Sequence, residues 1–464
     1  MIEDDRLALD HLFARVGARA HIVGIAGAGT APLAILLADQ GWRVSGCDRT
    51  RTATTEILEA RGILVSGGHD AAHVDGVDIV IATSAARDDV PDVSAARARS
   101  IPVVKRAAAL GALTRRKRTI CVAGTAGKTT TTAMVAAAMI GAGLDPSAMI
   151  GSDVPGMTLG ARAGASEWFV VEADEFDRSF LQLTPDIAIV TNVEADHLDY
   201  YGSLDEIEAA FRAFLCLVPA SRVIACADDA GARRVAPEGA TLYGTSDESD
   251  WRVRSIDLTD DGGSSTRLTV AGRDLQLRLR MPGRHNAMNG VAALAAAVTA
   301  GADPSAASDA LAEFAGARRR FELIGRARGV SVYDDYAHHP TKVRACLAAA
   351  RQVARGRVFC LFQPHTYHRT ASLFDDFAKS FSGADRALLL DIYSPVGRET
   401  PIVGVDSARL ADAARQSGVA YCDSPAHAIA ILASECRDGD VVVTMGAGDV
   451  TLLAPAIVDA LAAA

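Results

Sequence analysis

Short apolar runs alternate with amphipathic stretches along the opening segment: His21 to Ile25, a helix-like Leu33 to Gln40, Arg43 to Ser45, then Ile79 to Ala82. Apolar runs separated by segments of helical period are the pattern of parallel strands joined by crossover helices. A second series opens at Thr119 to Val122 and continues through Trp168 to Glu172 and Ile187 to Thr191. Between Ser221 and Leu279 the pattern changes to polar-alternating runs with turns such as Asp261-Gly262-Gly263, which predicts an antiparallel edge on the central sheet. An Ala-rich helix pair is expected from Asn286 to Phe314. A third series starts near Arg318-Arg319-Arg320-Phe321, with strands expected at Val330 to Asp334, Val358 to Phe362, Ala387 to Leu390 and Val441 to Met445. The basic run Arg115, Arg116, Lys117, Arg118 reads as a solvated linker and marks a boundary near residue 113. The chain thus divides into 1–112, 113–317 and 318–464, three α/β units of which the first and third read as doubly wound.

Bulk properties narrow the function classes. A chain of 464 residues exceeds what one hydrophobic core organises, and 49% apolar with 22% charged residues is a globular profile. The net charge of −10 lacks the basic excess that supplies nucleic-acid affinity, so no nucleic-acid partner is expected. Eight cysteines without a CxxC pair or a Cys/His run along the sequence suggest neither a zinc site nor a disulfide framework, and fit reduced thiols in a cytoplasm. Acidic residues follow Met1 where a signal peptide would be basic, and the Ala-rich run after Asn286 is broken by polar residues. No membrane insertion is expected, and the location implied is cytoplasmic.

The candidate chemistry sits in loops that follow strands. Gly24-Ile25-Ala26-Gly27-Ala28-Gly29 leaves an apolar strand and opens a helix, with Asp48 at the end of the next strand. Glycines there let backbone N–H groups at a helix N-terminus approach a pyrophosphate, whether of a dinucleotide or of a UDP-bearing ligand. Gly124-Thr125-Ala126-Gly127-Lys128-Thr129-Thr130 has the strand, loop, helix context of a phosphate cradle, shortened because Val122 stands where the standard pattern has glycine. Lys128 would place a cation on the outer phosphates and the Thr129 hydroxyl would reach a magnesium ion. Glu172-Ala173-Asp174-Glu175 and Asp196-His197 fall at successive strand ends, where a carboxylate and an imidazole suit magnesium or manganese beside phosphates. Arg320, the run Asp334 to Pro340 and the run Pro364 to Arg369 complete the polar clusters.

In order, GTAGKTT, EADEFDRSF, TNVEADHLDYYG, MPGRHNAMN, DDYAHHP, FQPHTYHRT and TMGAGD resemble the Mur ligase family over essentially the whole chain, and within it the branch that adds L-alanine. The resemblance implies a Rossmann-like N-terminal domain for a UDP-sugar, a central P-loop ATPase with a mixed sheet and a Rossmann-like C-terminal domain for the amino acid. It also implies ATP-dependent ligation of L-alanine to the carboxylate of UDP-N-acetylmuramate through an acyl phosphate, in peptidoglycan synthesis, by a monomer or homodimer. By the same resemblance Gly124, Thr125, Gly127, Lys128, Thr129 and Thr130 would hold ATP phosphates, and Thr129, Glu172 and His197 magnesium, with manganese an alternative. His285, Asn286 and Asn289 would lie by adenine, Asp335 by its ribose and Arg320 near the phosphates. Tyr336, His338 and Arg369 would meet the amino acid and the reacting carboxylate. Catalysis would rest on Lys128, His197, His338 and Arg369, while Gly24, Gly27, Gly29, Asp48, His69 and Ser84 would bind the UDP-sugar.

Several positions depart from the family pattern: Ala26 replaces a glycine, Thr30-Ala31 a Met-Ser pair, and Ala126 a histidine. Later-step relatives use a carbamylated lysine in the central domain, and no lysine occurs between His197 and Cys216, which favours the alanine-adding branch. The rival readings are a recycling ligase that attaches a murein tripeptide to the same nucleotide sugar, a nicotinamide oxidoreductase supported only by the first glycine loop, and a catalytically silent nucleotide-binding scaffold.

Overall fold

A computed structural model describes residues 3–83, 86–395, 399–415 and 418–464. Three sheets account for the three series of apolar runs. In the first, Leu64–Gly67, Arg43–Asp48, Arg19–Val23, Ile79–Ala82 and Val103–Lys105 lie side by side in that order, all parallel. The strand order reverses beside Arg19–Val23, so the glycine loop leaves the sheet at its topological switch point, the usual place for a ligand crevice.

The central sheet has ten strands. Its parallel heart places Arg118–Ala123 between Ile187–Val190 and Trp168–Glu172, with Ile120 opposite Ile187 and Val122 opposite Glu172. The phosphate loop, the carboxylate run and the segment 191–197 therefore emerge together at one carboxyl edge. Trp251–Leu258, Ser264–Val270 and Arg273–Leu279 form the expected antiparallel edge. Val223–Cys226 and Thr241–Gly244, within the stretch read as antiparallel, pair parallel instead. The difference arises from a short helix, Ala230–Val235, capped by Asp229, which makes the crossover that parallel pairing needs.

The third sheet runs Glu322–Ala327, Val330–Asp335, Val441–Met445, Val358–Phe362, Arg386–Leu389 and Val419–Tyr421, antiparallel only at the first pair. The three-domain α/β class expected from the sequence is the class observed, with one sheet in each unit. Of the strands missed by periodicity, Leu64–Gly67, Val103–Lys105 and Ser147–Met149 are only three or four residues long. The basic run is not a solvated linker: Arg115 Nε reaches both Asp10 oxygens at 2.8 and 2.9 Å, and Arg118 lies 4.1 Å from the Trp168 ring centroid.

Buried apolar side chains run continuously from the first sheet into the central one, whereas the third sheet has separate clusters on its two faces. One part of the central core fixes the carboxylate run directly. Phe180 is fully buried, stacks on Phe214 at 4.8 Å and meets Phe211 edge-on at 5.3 Å. Its backbone N–H donates to the Asp174 carbonyl at 2.9 Å, and the Tyr201 hydroxyl donates to the Glu175 carbonyl. Replacing Phe214 with alanine removes the stacked ring and leaves a cavity, so Phe214→Ala is expected to cost about 3–5 kcal/mol in denaturant unfolding. A loss below about 1 kcal/mol would mean that the ring stack does not hold this region.

Candidate functional site

A cleft of about 1050 Å³ is lined by residues from all three sheets. Its floor is the phosphate loop. Gly124 and Gly127 have φ of +140° and +84°, and a Cβ at Gly124 would collide with the Thr191 hydroxyl. Asn192 holds the loop from the neighbouring strand end: its Oδ1 accepts from Ala126 N at 2.8 Å and its Nδ2 donates to Ala126 O at 3.0 Å. Thr125, at 3.3 Å from the Glu194 carbonyl, adds a second tie. Helix Lys128–Gly141 starts immediately after the loop, so its N-terminus faces the cleft.

Lys128 is the first residue of that helix, and its ammonium lies 2.8 and 2.6 Å from the two oxygens of Glu175 and 2.7 Å from the Gly124 carbonyl. Burial opposes its charge, but Glu175, Asp174 and Glu172 outweigh that and raise the lysine above its ordinary range. The Thr129 hydroxyl stands 3.0 and 3.1 Å from the Glu172 oxygens, and Gly151 N donates to the same carboxylate at 3.0 Å. Arg320 Nη2 comes across from the third segment to the same hydroxyl at 2.8 Å.

At the next strand end, Asp196 is nearly buried and accepts from Arg369 Nε at 3.0 Å. Burial alone would raise Asp196, yet Arg369, His197 and Lys342 hold it well below the usual carboxylate range. His197 adopts the left-handed conformation at φ +52°, which turns its ring onto Phe176 at 4.9 Å and into the cleft. Burial lowers its pKa, so the ring is a neutral donor of a lone pair.

The third sheet supplies the opposite wall. Asp335 accepts from Phe321 N at 2.8 Å and Ala337 N at 2.7 Å, and burial raises its carboxyl to about 6. The cations of Arg319 and Arg320 lie 4.8 and 5.1 Å from the Tyr336 ring centroid. Burial, with Lys342 and Arg369 adding to it, keeps His338 neutral; its Nδ1 is 2.7 Å from the Tyr336 carbonyl. His339 reaches the Ala195 carbonyl at 3.1 Å, and Thr341 donates to Glu194 at 2.6 Å, which docks this wall on the central unit.

The cleft thus gathers Thr125, Gly127, Lys128, Thr129, Thr130, Glu172, His197, His285, Asn286, Asn289, Arg320, Asp335, Tyr336, His338 and Arg369, with Gly27 and Gly29 of the first loop. Gly124 shapes the loop from beneath. Three of the expected UDP-sugar residues do not line it: Gly24 lies behind the loop, Asp48 accepts from Ala26 N at 3.1 Å, and His69 faces Asp92 at 3.0 Å. Ser84 lies outside the described residues. Sequence reading passed over Glu175 as a partner of Lys128, Asn192 as the loop anchor, and Lys342. The last lies in the first turn of helix Pro340–Val353, buried in the cleft, and burial lowers its ammonium to about 8.

The donor set fits a hard divalent ion. A carboxylate and a hydroxyl already within hydrogen-bond distance, beside a phosphate cradle and a neutral imidazole, leave room for waters and phosphate oxygens to complete an octahedron.

Comparison with known proteins agrees with this geometry along the whole chain. Residues 19–118 match the Mur ligase family catalytic domain, 122–297 the Mur ligase middle domain, and 319–448 the Mur ligase glutamate ligase domain. The chain is 47% identical to UDP-N-acetylmuramate–L-alanine ligase of Paenarthrobacter aurescens strain TC1, covering 96% of this chain and 97% of that one. Identity to the ligase of the same name from Thermobifida fusca strain YX is 45%, with 96% of each chain covered. Among solved structures, the UDP-N-acetylmuramate-alanine ligase of Thermotoga maritima superposes with a TM-score of 0.80 at 27% identity, covering 95% of this chain and 98% of that one. A murein peptide ligase from Psychrobacter arcticus gives 0.69 at 25% identity, covering 96% and 99%. With matching models across all three sheets and relatives well above the identity at which folds and families diverge, the chain belongs to the Mur ligase family.

Proposed function

We propose that the chain joins L-alanine to the carboxylate of UDP-N-acetylmuramate, with ATP converted to ADP and phosphate, as an amide-forming ligase of peptidoglycan precursor synthesis. The observation that carries the chemistry is the convergence of a phosphate loop, a carboxylate–hydroxyl pair and an Arg/His wall on one cleft. Near full-length identity to L-alanine ligases supports that acceptor over a tripeptide, and the higher TM-score of an alanine ligase supports the same choice. Two phosphate-handling elements in one cleft also argue against a nicotinamide oxidoreductase. The absence of any membrane-crossing helix among the described residues is consistent with action in the cytoplasm.

In this reading residues 1–112 hold the UDP-sugar, 113–317 hold ATP and 318–464 hold the amino acid. Lys128 exchanges Glu175 for the β- and γ-phosphates, and the loop N–H groups and helix N-terminus bind the rest. Glu172, Thr129 and His197 would hold magnesium, which when bound would neutralise charge on the transferred phosphoryl group. Arg320, released from Thr129, faces those phosphates from the third segment. His285, Asn286 and Asn289 border adenine, and Asp335 its ribose. The sugar carboxylate attacks the γ-phosphate, ADP leaves, and an acyl phosphate remains. The alanine amine, in its neutral form, then adds to the acyl carbon, and the tetrahedral intermediate loses the amine proton to solvent and expels phosphate. Arg369 and His338 position the reacting groups, with Tyr336 against the amino acid; cations around the acyl oxygen stabilise charge that grows only in the transition state.

The deciding experiment measures phosphate release with ATP, magnesium and UDP-N-acetylmuramate while L-alanine, glycine, L-serine and the tripeptide are supplied in turn, with product mass checked. L-alanine-dependent release with the matching mass gain is expected; release with the tripeptide alone would assign the recycling reaction. Lys128→Ala is expected to lower kcat by about two to three orders of magnitude, because its charge is used chiefly in the transition state. Near-normal turnover in that variant would remove the phosphate-cradle role. For His197→Ala, a titration of rate against magnesium should shift to higher concentration with Glu172 intact, and an unchanged midpoint would take His197 out of the metal's surroundings.

A further inference from the structure

Beneath the first glycine loop, away from the cleft, four side chains distant in sequence converge. His21 and Cys47 project from adjacent parallel strands onto the face that packs on the short helical turn Ala71–Val74 and on helix Pro91–Ala98. His73 comes from that turn and Asp92 from the helix. One ligand atom from each of the four lies within 4.8 Å of every other. Around Asp92 Oδ1 the separations are 2.8 Å to His73 Nδ1, 3.3 Å to His21 Nε2 and 3.5 Å to Cys47 Sγ. Zinc at about 2.0–2.3 Å from nitrogen, oxygen and sulfur ligands in a tetrahedron sets ligand–ligand edges of roughly 3.2–3.8 Å, close to these values.

One ring nitrogen of His21 is hydrogen-bonded and the other is not. His21 Nδ1 lies 3.0 Å from the Ser45 hydroxyl, which is also 3.4 Å from the Ala20 carbonyl. Its Nε2 faces the fully buried Asp92 carboxylate at 3.3 Å. His21 is 1% exposed and its Nε2 has no hydrogen-bond partner. A buried ring nitrogen without a hydrogen bond is costly, and a cation held between it and the carboxylate would satisfy both. Ser45 acts on His21 as outer-sphere partners act on metal-bound imidazoles, fixing the ring and its tautomer.

We propose that His21, Cys47, His73 and Asp92 form a closed tetrahedral site for one zinc-class divalent ion, structural in role and separate from the catalytic magnesium. One thiolate, one carboxylate and two neutral imidazoles carry a charge that cancels a divalent cation. On binding, the Cys47 thiol gives its proton to solvent and the metal–sulfur bond takes that place. His69, 3.0 Å from Asp92 Oδ2 and 3.4 Å from Cys47 Sγ, steadies the carboxylate from outside. His69 and His73 are partly exposed, which provides an entry path. The Cys47 carbonyl accepts from Gly24 N at 2.9 Å and Ile25 N at 3.1 Å, so a metal at Cys47 would pin the strand end from which the glycine loop hangs.

The test loads the full chain, stripped with chelator and free of ATP, with cobalt(II) and follows the thiolate-to-cobalt charge-transfer band, which the proposed magnesium ligands Thr129, Glu172 and His197 cannot give; Cys47→Ser separates it from the cleft thiol of Cys346. One equivalent producing that band, displaced by one equivalent of zinc, is expected, with the band lost in Cys47→Ser. His73→Ala should weaken cobalt binding by at least tenfold. Ser45→Ala, which keeps all four ligands, should weaken it about 10–100-fold. No band in the folded wild-type chain at saturating cobalt, or a band of full strength in Cys47→Ser, would overturn the site. Should Cys47→Ser fail to fold, the wild-type and Ser45→Ala titrations decide, and an unaltered affinity in the latter counts against it.

Discussion

A lysine ammonium buried at the end of a parallel strand sets the terms for everything around it. Lys128 begins a helix whose N-terminus already carries partial positive charge, so the site must supply carboxylates or remain unstable. Glu175 meets that demand directly, and Asp174 and Glu172 from the same strand end add to it. The same excess of negative charge prepares the neighbourhood for a divalent ion. Arg320, Arg369 and Lys342 then balance the carboxylates from the third segment, with Arg369 fixed on Asp196. The cleft is therefore an electrostatic assembly that no one segment completes.

Topology makes that assembly possible with little irregular backbone. Arg118–Ala123 lies between the two strands whose ends carry Glu172 and Asp196, and parallel pairing brings all three ends to one edge. Packing then removes slack: the Phe180 cluster secures the carboxylate run, and Asn192 clamps the loop through Ala126. Ala126 stands where relatives were expected to have histidine, and the clamp uses only its backbone, so that departure leaves the loop geometry intact.

Much of this was legible from local pattern. The phosphate loop after its strand, the carboxylates at strand ends, and Tyr336 with His338 are contiguous signals, and each lines the cleft. Short strands such as Val103–Lys105 and Ser147–Met149 were not legible, because three residues cannot establish a period. The crossover at Ala230–Val235 was hidden by its brevity, which turned a parallel pair into an apparent antiparallel one. Side-chain partnerships escaped for a different reason. Asp48 and His69 sit at positions that suit ribose or uracil contacts, yet one secures a backbone amide and the other a buried carboxylate. The grouping of His21, Cys47, His73 and Asp92 has no linear spacing at all, and the absence of a CxxC or Cys/His run therefore said nothing about it.

The connection between the central and C-terminal units has its own consequence. Arg318 N donates to Asp153 O, Arg319 bridges to Asp334 and the Gly446 carbonyl, and Arg320 reaches the Thr129 hydroxyl, all within three consecutive residues. Any rotation of the third sheet about this tether must alter the partner of the hydroxyl beside Glu172. Occupancy at the phosphate loop and the attitude of the C-terminal unit are then two readings of a single equilibrium, and each must bias the other by the same free energy.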